Sequence, residues 1–185
     1  MRLKILWESG ALPGLEIPAG RAIELILGIP VDAEENGVLL AGYDPARSQY
    51  DAQKILHRIQ LYKRKRTIPG PIMVVTHRDL FVRGADFVFG LARESTGVAV
   101  VSTARFYNEF YQREKDEELL LSRISTEGAH EAGHLLGLDH CPDSQCIMFP
   151  PETLDQLDGK KTVLCDGCRN ILRGVFSPPV IDSIN

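Results

Sequence analysis

The sequence predicts an α/β (α+β) fold, and three observations lead there. The first half alternates short β-branched or aromatic runs with stretches of helical periodicity. A long helical pattern follows, with two histidines four residues apart near its end. The remainder is irregular and gathers all four cysteines between Cys141 and Cys168. With 185 residues, 44% of them apolar, the chain can bury a sizeable core as one unit. The expected organisation is a single domain over residues 1–185. A sheet-and-helix part occupies 1–113, a long helix 114–137, and an irregular Cys-rich segment 138–185.

The elements follow in order. Leu3–Trp7 reads as a strand, and Ile17–Leu27 as a helix that takes Pro18 into its first turn. Val38–Ala41 is strand-like, and Asp44-Pro45 marks a turn. Gln53–Lys65 predicts a helix, because Ile55, Leu56, Ile59 and Tyr62 recur on one face. After the Pro69-Gly70-Pro71 breaker come three short strands, Ile72–Thr76, Phe87–Leu91 and Val98–Thr103. Glu114–Leu136 is helical, with Leu120, Ile124, Leu135 and Leu136 facing inward and an acidic first turn that suits the helix dipole. Gly137 ends it, and one short helix is expected after Asp166.

Composition sets bounds on function. The formal net charge of −4 leaves no chain-wide basic field for nucleic acid or anionic lipid, so neither is an expected partner. The apolar run after Met1 is short and broken by Glu8, too little for a signal-peptide core, and no apolar stretch is long enough to span a bilayer. A cytoplasmic location is therefore expected. In a reducing compartment, thiols more often hold metal or act in catalysis than form structural disulfides.

The run His130-Glu131-Ala132-Gly133-His134-Leu135-Leu136-Gly137-Leu138-Asp139-His140 carries the main argument. Residues four apart share a helix face, so His130 and His134 can direct two imidazoles at one ion, and neutral nitrogen donors suit Zn²⁺. Gly137 can take a left-handed conformation, which turns the chain back and lets His140 complete the set. Three protein ligands leave a fourth position for water, as catalytic zinc requires. Glu131 follows the first ligand, where its carboxylate can take the water's proton and later pass it to a leaving amine. Chance alignment of these five positions, from this composition, is on the order of 10⁻⁵. A purely structural zinc would close its site with a fourth protein ligand and leave Glu131 without a purpose.

This run resembles the extended zinc signature of the metzincins, with its helix-ending glycine and a methionine turn downstream. Met148, in Cys146-Ile147-Met148-Phe149-Pro150, is the matching methionine. The resemblance implies a small twisted mixed sheet packed on helices, a zinc-binding active-site helix, and Met148 as a floor beneath the metal. It also implies a peptide substrate lying along an edge strand, for which Phe87–Leu91 and Val98–Thr103 are candidates. The function implied is that of a zinc peptidase, with His130, His134 and His140 as ligands and Glu131 as general base.

Cys141 adjoins the third histidine, Cys146 lies five positions on, and Cys165 and Cys168 form a C-x-x-C pair around Asp166-Gly167. Four thiolates make a closed tetrahedral site that would tie the ligand loop to the C-terminal segment. Two disulfides or a redox C-x-x-C are the rival readings. Taken together, the zinc signature, the cysteine after the third histidine, the next Cys, the Met and the distal C-x-x-C resemble an archaemetzincin. That resemblance implies two zinc ions, one catalytic and one structural, the second held by Cys141, Cys146, Cys165 and Cys168.

Other signals are weaker. The HRDL string at His77–Leu80 lacks the glycine-rich loop and DFG of a kinase. His57 and His77 have no partner at ligand spacing. The basic cluster Lys63–Arg66 sits where cations favour a helix C-terminus. A non-catalytic zinc protein with a structural or peptide-binding role is the alternative function. A regulator contacting nucleic acid is disfavoured, since only Arg169 and Arg173 follow the C-x-x-C closely.

Overall fold

The computed structural model describes residues 1–37 and 40–176. Three strands form its centre: β1 (Leu3–Glu8), and two that follow below, all buried or nearly so. Alternating side chains of a strand point to opposite faces. Leu3, Ile5 and Trp7 of β1 join one apolar cluster, while Leu6 joins another. Helix α1 (Glu16–Leu27) covers the first face, and ends at Gly28 in the left-handed conformation. Strand β2 (Val31–Asn36) returns parallel to β1, with Leu3 opposite Val31. Its sequence VDAEEN has no apolar run to reveal it. It is held by backbone pairing and by Lys4, whose ammonium reaches Glu34 at 2.9 Å and Asp32 at 3.4 Å.

Of the strand expected at Val38–Ala41, Val38 and Leu39 lie outside the described residues, and Leu40 and Ala41 are not in a strand. Strands β3 (Tyr43–Asp44) and β4 (Gln49–Asp51) precede helix α2 (Ala52–Lys65), whose N-terminus is capped by the Asp51 carboxylate accepting from Gln53 N–H at 2.9 Å. Ala52, Ile55, Leu56 and Ile59 of α2 pack on the second sheet face. Lys63 does not stay solvated beyond its helix. Its ammonium crosses to donate to the carbonyls of Thr96 at 2.9 Å and Gly97 at 3.2 Å.

Strand β5 (Ile72–Thr76) pairs parallel with β1, and β8 (Val98–Ser102) pairs parallel with β5. Between them, β6 (Leu80–Phe81) joins β4 and β3 in a separate three-stranded sheet, and β7 (Gly90–Arg93) runs antiparallel to β8. The main sheet order is thus β2-β1-β5-β8-β7, mixed as the resemblance implied. The strand expected at Phe87–Leu91 starts later, at Gly90. Phe87 and Phe89 pack edge-on against each other at 5.1 Å, Phe89 lies 5.4 Å from Phe106, and the Arg105 guanidinium covers Phe87 at 4.2 Å. Before β7, Val88 N–H donates to Leu80 O of β6 at 3.0 Å, and Phe89 O accepts from Ser102 N–H of β8 at 2.7 Å. Of the two candidate substrate strands, β8 is internal and β7 forms the sheet edge.

Helix α3 (Glu117–Leu135) begins three residues later than expected, because Asp116 accepts from Leu119 N–H at 2.8 Å and fixes the N-cap. It packs on α1, where Gly128 lets the helices approach: a Cβ there would stand 2.6 Å from Ile23 Cδ1. A short helix α4 (Leu154–Asp158), unannounced by periodicity, follows the methionine turn, and α5 (Asp166–Phe176) fills the place of the helix expected after Asp166. Arg123, buried in mid-α3, anchors these parts. Its guanidinium makes two 2.7 Å bonds to Asp158 and donates to Phe106 O at 2.5 Å and Asn108 Oδ1 at 2.8 Å. Among the described residues, no helix is long and apolar enough to cross a membrane.

Candidate functional site

The last two turns of α3 carry His130 and His134 on one face, and the chain then reverses. Gly137 has φ +85°, the Gly137 N–H donates to His134 O at 3.1 Å, and the Leu138 N–H donates to Gly133 O at 3.0 Å. This double closure is the glycine-dependent helix stop of the Schellman type. It carries His140 back toward the helix, so that one nitrogen from each of His130, His134 and His140 lies within 4.8 Å of the others.

The ring orientations are fixed by backbone carbonyls. His130 Nδ1 lies 2.9 Å from Ile147 O, and His134 Nδ1 lies 2.7 Å from Leu138 O. A carbonyl only accepts, so each Nδ1 carries the proton and each Nε2 presents a lone pair. Those two Nε2 atoms face each other at 3.2 Å. Two lone pairs at that separation repel unless a cation lies between, so the donor set fits a metal ion. Burial supports the neutral ligand form: it pushes His130 down to about 3, and lowers His134 as well.

Met148 is fully buried beneath this face. A Cβ on Gly133, between the two helical histidines, would stand 2.5 Å from Met148 Sδ. The loop that bears His140 is tied to the methionine turn by the Cys141 N–H, which donates to Met148 O at 2.9 Å. Glu131 points instead toward the sheet edge: a Cβ on Gly90 of β7 would stand 2.5 Å from Glu131 Oε1. Burial pushes its carboxyl well above the ordinary range, and the neighbouring Glu127 carboxylate adds to this.

The histidines lie in a cleft with two lobes. One cavity of about 420 Å³ is lined by Phe87–Gly90, Glu127, His130, Glu131 and Pro150–Glu152. The other, about 360 Å³, is lined by β7, His134 and Leu138–His140. Strand β7 thus borders both. A larger cavity, about 940 Å³, lies elsewhere, between α1, α3 and α5, and none of the histidines lines it.

The four cysteines form a second cluster, each offering a sulfur within 4.8 Å of the others. No pair is bonded, and Cys141 and Cys165 Sγ are 3.8 Å apart. Backbone amides aim at two of the sulfurs: Cys165 N–H at Cys146 Sγ, 3.3 Å, and Cys168 N–H at Cys165 Sγ, 3.5 Å. The second amide holds the Cys165 thiol below its ordinary range. That amide favours the Cys165 thiolate, the form that binds metal, whereas burial raises the Cys141 and Cys168 thiols.

The three histidines and the four cysteines singled out in the sequence thus form two clusters, adjoining at His140-Cys141. The family profile of Peptidase family M54 matches residues 25–174. The chain belongs to that family, the archaemetzincins. The archaemetzincin of Pyrococcus furiosus is 34% identical over 149 residues, covering 80% of this chain and 74% of its relative. Among solved structures, a zinc-dependent peptidase from Methanocorpusculum labreanum is 39% identical with a TM-score of 0.88, covering 92% of this chain and 99% of that one. The archaemetzincin of Methanopyrus kandleri superimposes with a TM-score of 0.78 at 30% identity, covering 95% of each chain.

Two residues of the cleft, Glu127 and Gly90, and the buried Lys160 escaped the sequence reading. Glu127 lies four positions before Glu131 on the same helix face, a spacing that could have revealed it. Lys160 is buried to 7% exposure, and nothing in its Gly159-Lys160-Lys161 surroundings marks it. Gly90 had no signal, because its role is to leave room for Glu131.

Proposed function

We propose that the chain is a zinc-dependent peptidase in which His130, His134 and His140 hold the catalytic ion and Glu131 is the general base. The observation that carries this is the facing pair of Nε2 atoms at 3.2 Å, with their Nδ1 protons pinned by carbonyls. Second in weight is a carboxylate that ligates nothing and lies between that pair and the sheet edge. Zinc, when bound, supplies Lewis acidity that lowers the pKa of water toward ~7 and polarises a carbonyl.

This chain's residues do the rest. The edge of β7 offers unpaired backbone groups, on which an extended peptide can lie with its carbonyl over the histidines. Glu131 accepts the proton of the attacking water and delivers it to the leaving amine. Its burial favours the first step, because a carboxyl held above its ordinary range is the stronger base. The substrate class is peptides or proteins, and Cys141, Cys146, Cys165 and Cys168 hold a second, structural zinc.

The test is cleavage of a diverse peptide library by wild type and Glu131→Gln, with zinc counted in both. The proposal expects two zinc per chain in each protein and cleavage by wild type alone. Two zinc with no cleavage by either would make this a zinc-dependent binding protein instead.

A further inference from the structure

The basic residues are unevenly placed. Between Ala52 and Arg66 stand Lys54, Arg58, Lys63, Arg64, Lys65 and Arg66, with no Asp or Glu, while the rest of the chain holds 15 basic against 25 acidic residues. Helix α2 and its C-cap Arg66 therefore form a positive layer on an acidic body. Lys63 is engaged by the carbonyls of Thr96 and Gly97. The other five are exposed, and among the described residues none of them is paired with a carboxylate.

The helix dipole accounts for cations in the last turn of α2, where the carbonyl end is negative. It does not account for Lys54, the third residue of the helix, or for Arg58. Lys54, Arg58, Leu61 and Lys65 are spaced by four, three and four residues, so they share one face. That stripe is about 17 Å long, at ~1.5 Å per residue. Leu61, 45% exposed, is its apolar point. Beside it a hollow of about 400 Å³ is lined by Gln53, Lys54, His57, Arg58 and Leu61 together with Ala41.

The stripe adjoins the edge on which the peptide is proposed to lie. Helix α2 packs against β7 and β8, and Arg93 of β7 donates to Gln53 Oε1 of α2 at 2.5 Å. Strand β7 thus borders the cleft on one sheet face and α2 on the other, and a protein seated on that edge has both within reach.

The chemistry of the face selects one class of partner. A membrane would need an apolar helix face, but Ile55, Leu56 and Ile59 of α2 are buried on the sheet, and Leu61 is the one large apolar residue that the helix exposes. A nucleic acid would carry its phosphates past the helix and over the acidic remainder of the chain. A short acidic polypeptide segment matches. About five extended residues cover the stripe, and their alternate side chains, ~7 Å apart, meet cations spaced about 6 Å along the helix.

We propose that the outer face of α2 is a docking surface for an acidic segment of a protein substrate, with Lys54, Arg58 and Lys65 as its cations and Leu61 as its apolar contact. That the bound protein is a substrate rests on the peptidase reading above; the docking itself does not. Charge complementarity of this kind selects partners and speeds encounter more than it adds affinity, so the contact is weak and screened by salt.

The experiment uses the zinc-loaded full chain and a fluorescently labelled peptide of alternating Glu and Ser with one central Leu, read by anisotropy. Lys54→Gln, Arg58→Gln and Lys65→Gln together are expected to weaken binding about tenfold, because each exposed charge pair contributes only a few-fold. The thermal midpoint stays within about 3 °C, since all three are surface positions. Removing the same charge elsewhere, with Arg21→Gln, Arg113→Gln and Lys161→Gln, is expected to change binding less than about twofold, and roughly 0.5 M salt should abolish it in every protein.

Equal losses in the two triple variants would mean a diffuse field and overturn the proposal. An oligonucleotide of equal charge or phosphatidylserine vesicles binding more tightly than the peptide would overturn it too, and salt-sensitive self-association without peptide binding would assign the face to a second copy instead. In turnover, a protein substrate carrying such a segment should show a KM about tenfold higher in the α2 variant at unchanged kcat, with short peptides lacking the segment unaffected. An unchanged KM would sink the assignment to substrate. Should wild type cleave nothing, the peptidase reading fails, and anisotropy alone decides the docking surface.

Discussion

Arg123 and Asp158 offer a sharp test of how the helix bearing the histidines is held in place. The Arg123 side chain is 2% exposed and that of Asp158 is 22% exposed, and two parallel bonds of 2.7 Å join them. The two further bonds from Arg123, to Phe106 O and Asn108, leave no cheap alternative for the guanidinium. Replacing Asp158 with Asn strands the buried cation, for which the cost is about 3–5 kcal/mol. Because Asp158 is partly solvated, the lower end applies, roughly 3 kcal/mol. For a chain of this size, 1 kcal/mol moves the thermal midpoint about 2–4 °C, so a fall of ~6–12 °C is expected. Circular dichroism of the zinc-loaded protein measures it. The double change Arg123→Met with Asp158→Leu should recover a good part of the loss, since an apolar pair removes the stranded charge. A shift below about 2 °C for Asp158→Asn would refute the claim that this pair fixes α3 to α4.

Three other outcomes are expected. Gly133→Ala drives a methyl into Met148 at the floor of the histidine site, and should cost about 1–3 kcal/mol of stability and weaken zinc retention against a chelator. Gly90→Ala pushes on the Glu131 carboxylate from the sheet edge; peptide turnover should fall about 10²-fold or more while elemental analysis still finds two zinc. Cys165→Ser removes one thiolate from the four-sulfur cluster, so zinc content should drop to one per chain and proteolysis should begin within the segment after Cys141.

Much of the site was legible because its chemistry is local in sequence. His130, Glu131, His134, Gly137 and His140 fall within one helix and its stop, so helical periodicity and one left-handed glycine suffice to bring the nitrogens together. Cys165 and Cys168 were recognisable by their own spacing, and their joining to Cys141 and Cys146 needed only the donor count. What stayed hidden depends on contacts between distant segments. Strand β2 is polar along most of its length and exists because β1 offers an open edge. The late start of β7 follows from Val88 bridging Leu80 of the other sheet, a contact between segments that no period records. Glu127 and Lys160 stand out only once folding buries them, which no local pattern announces.

The central claim is that the three histidines hold the ion on which cleavage depends. Zinc content and peptide cleavage measured on the same preparations, wild type beside His130→Ala with His134→Ala, test it most directly. The account predicts two zinc and cleavage in wild type, against one zinc and no cleavage in the variant. Cleavage that survives loss of the histidine-bound zinc would contradict it.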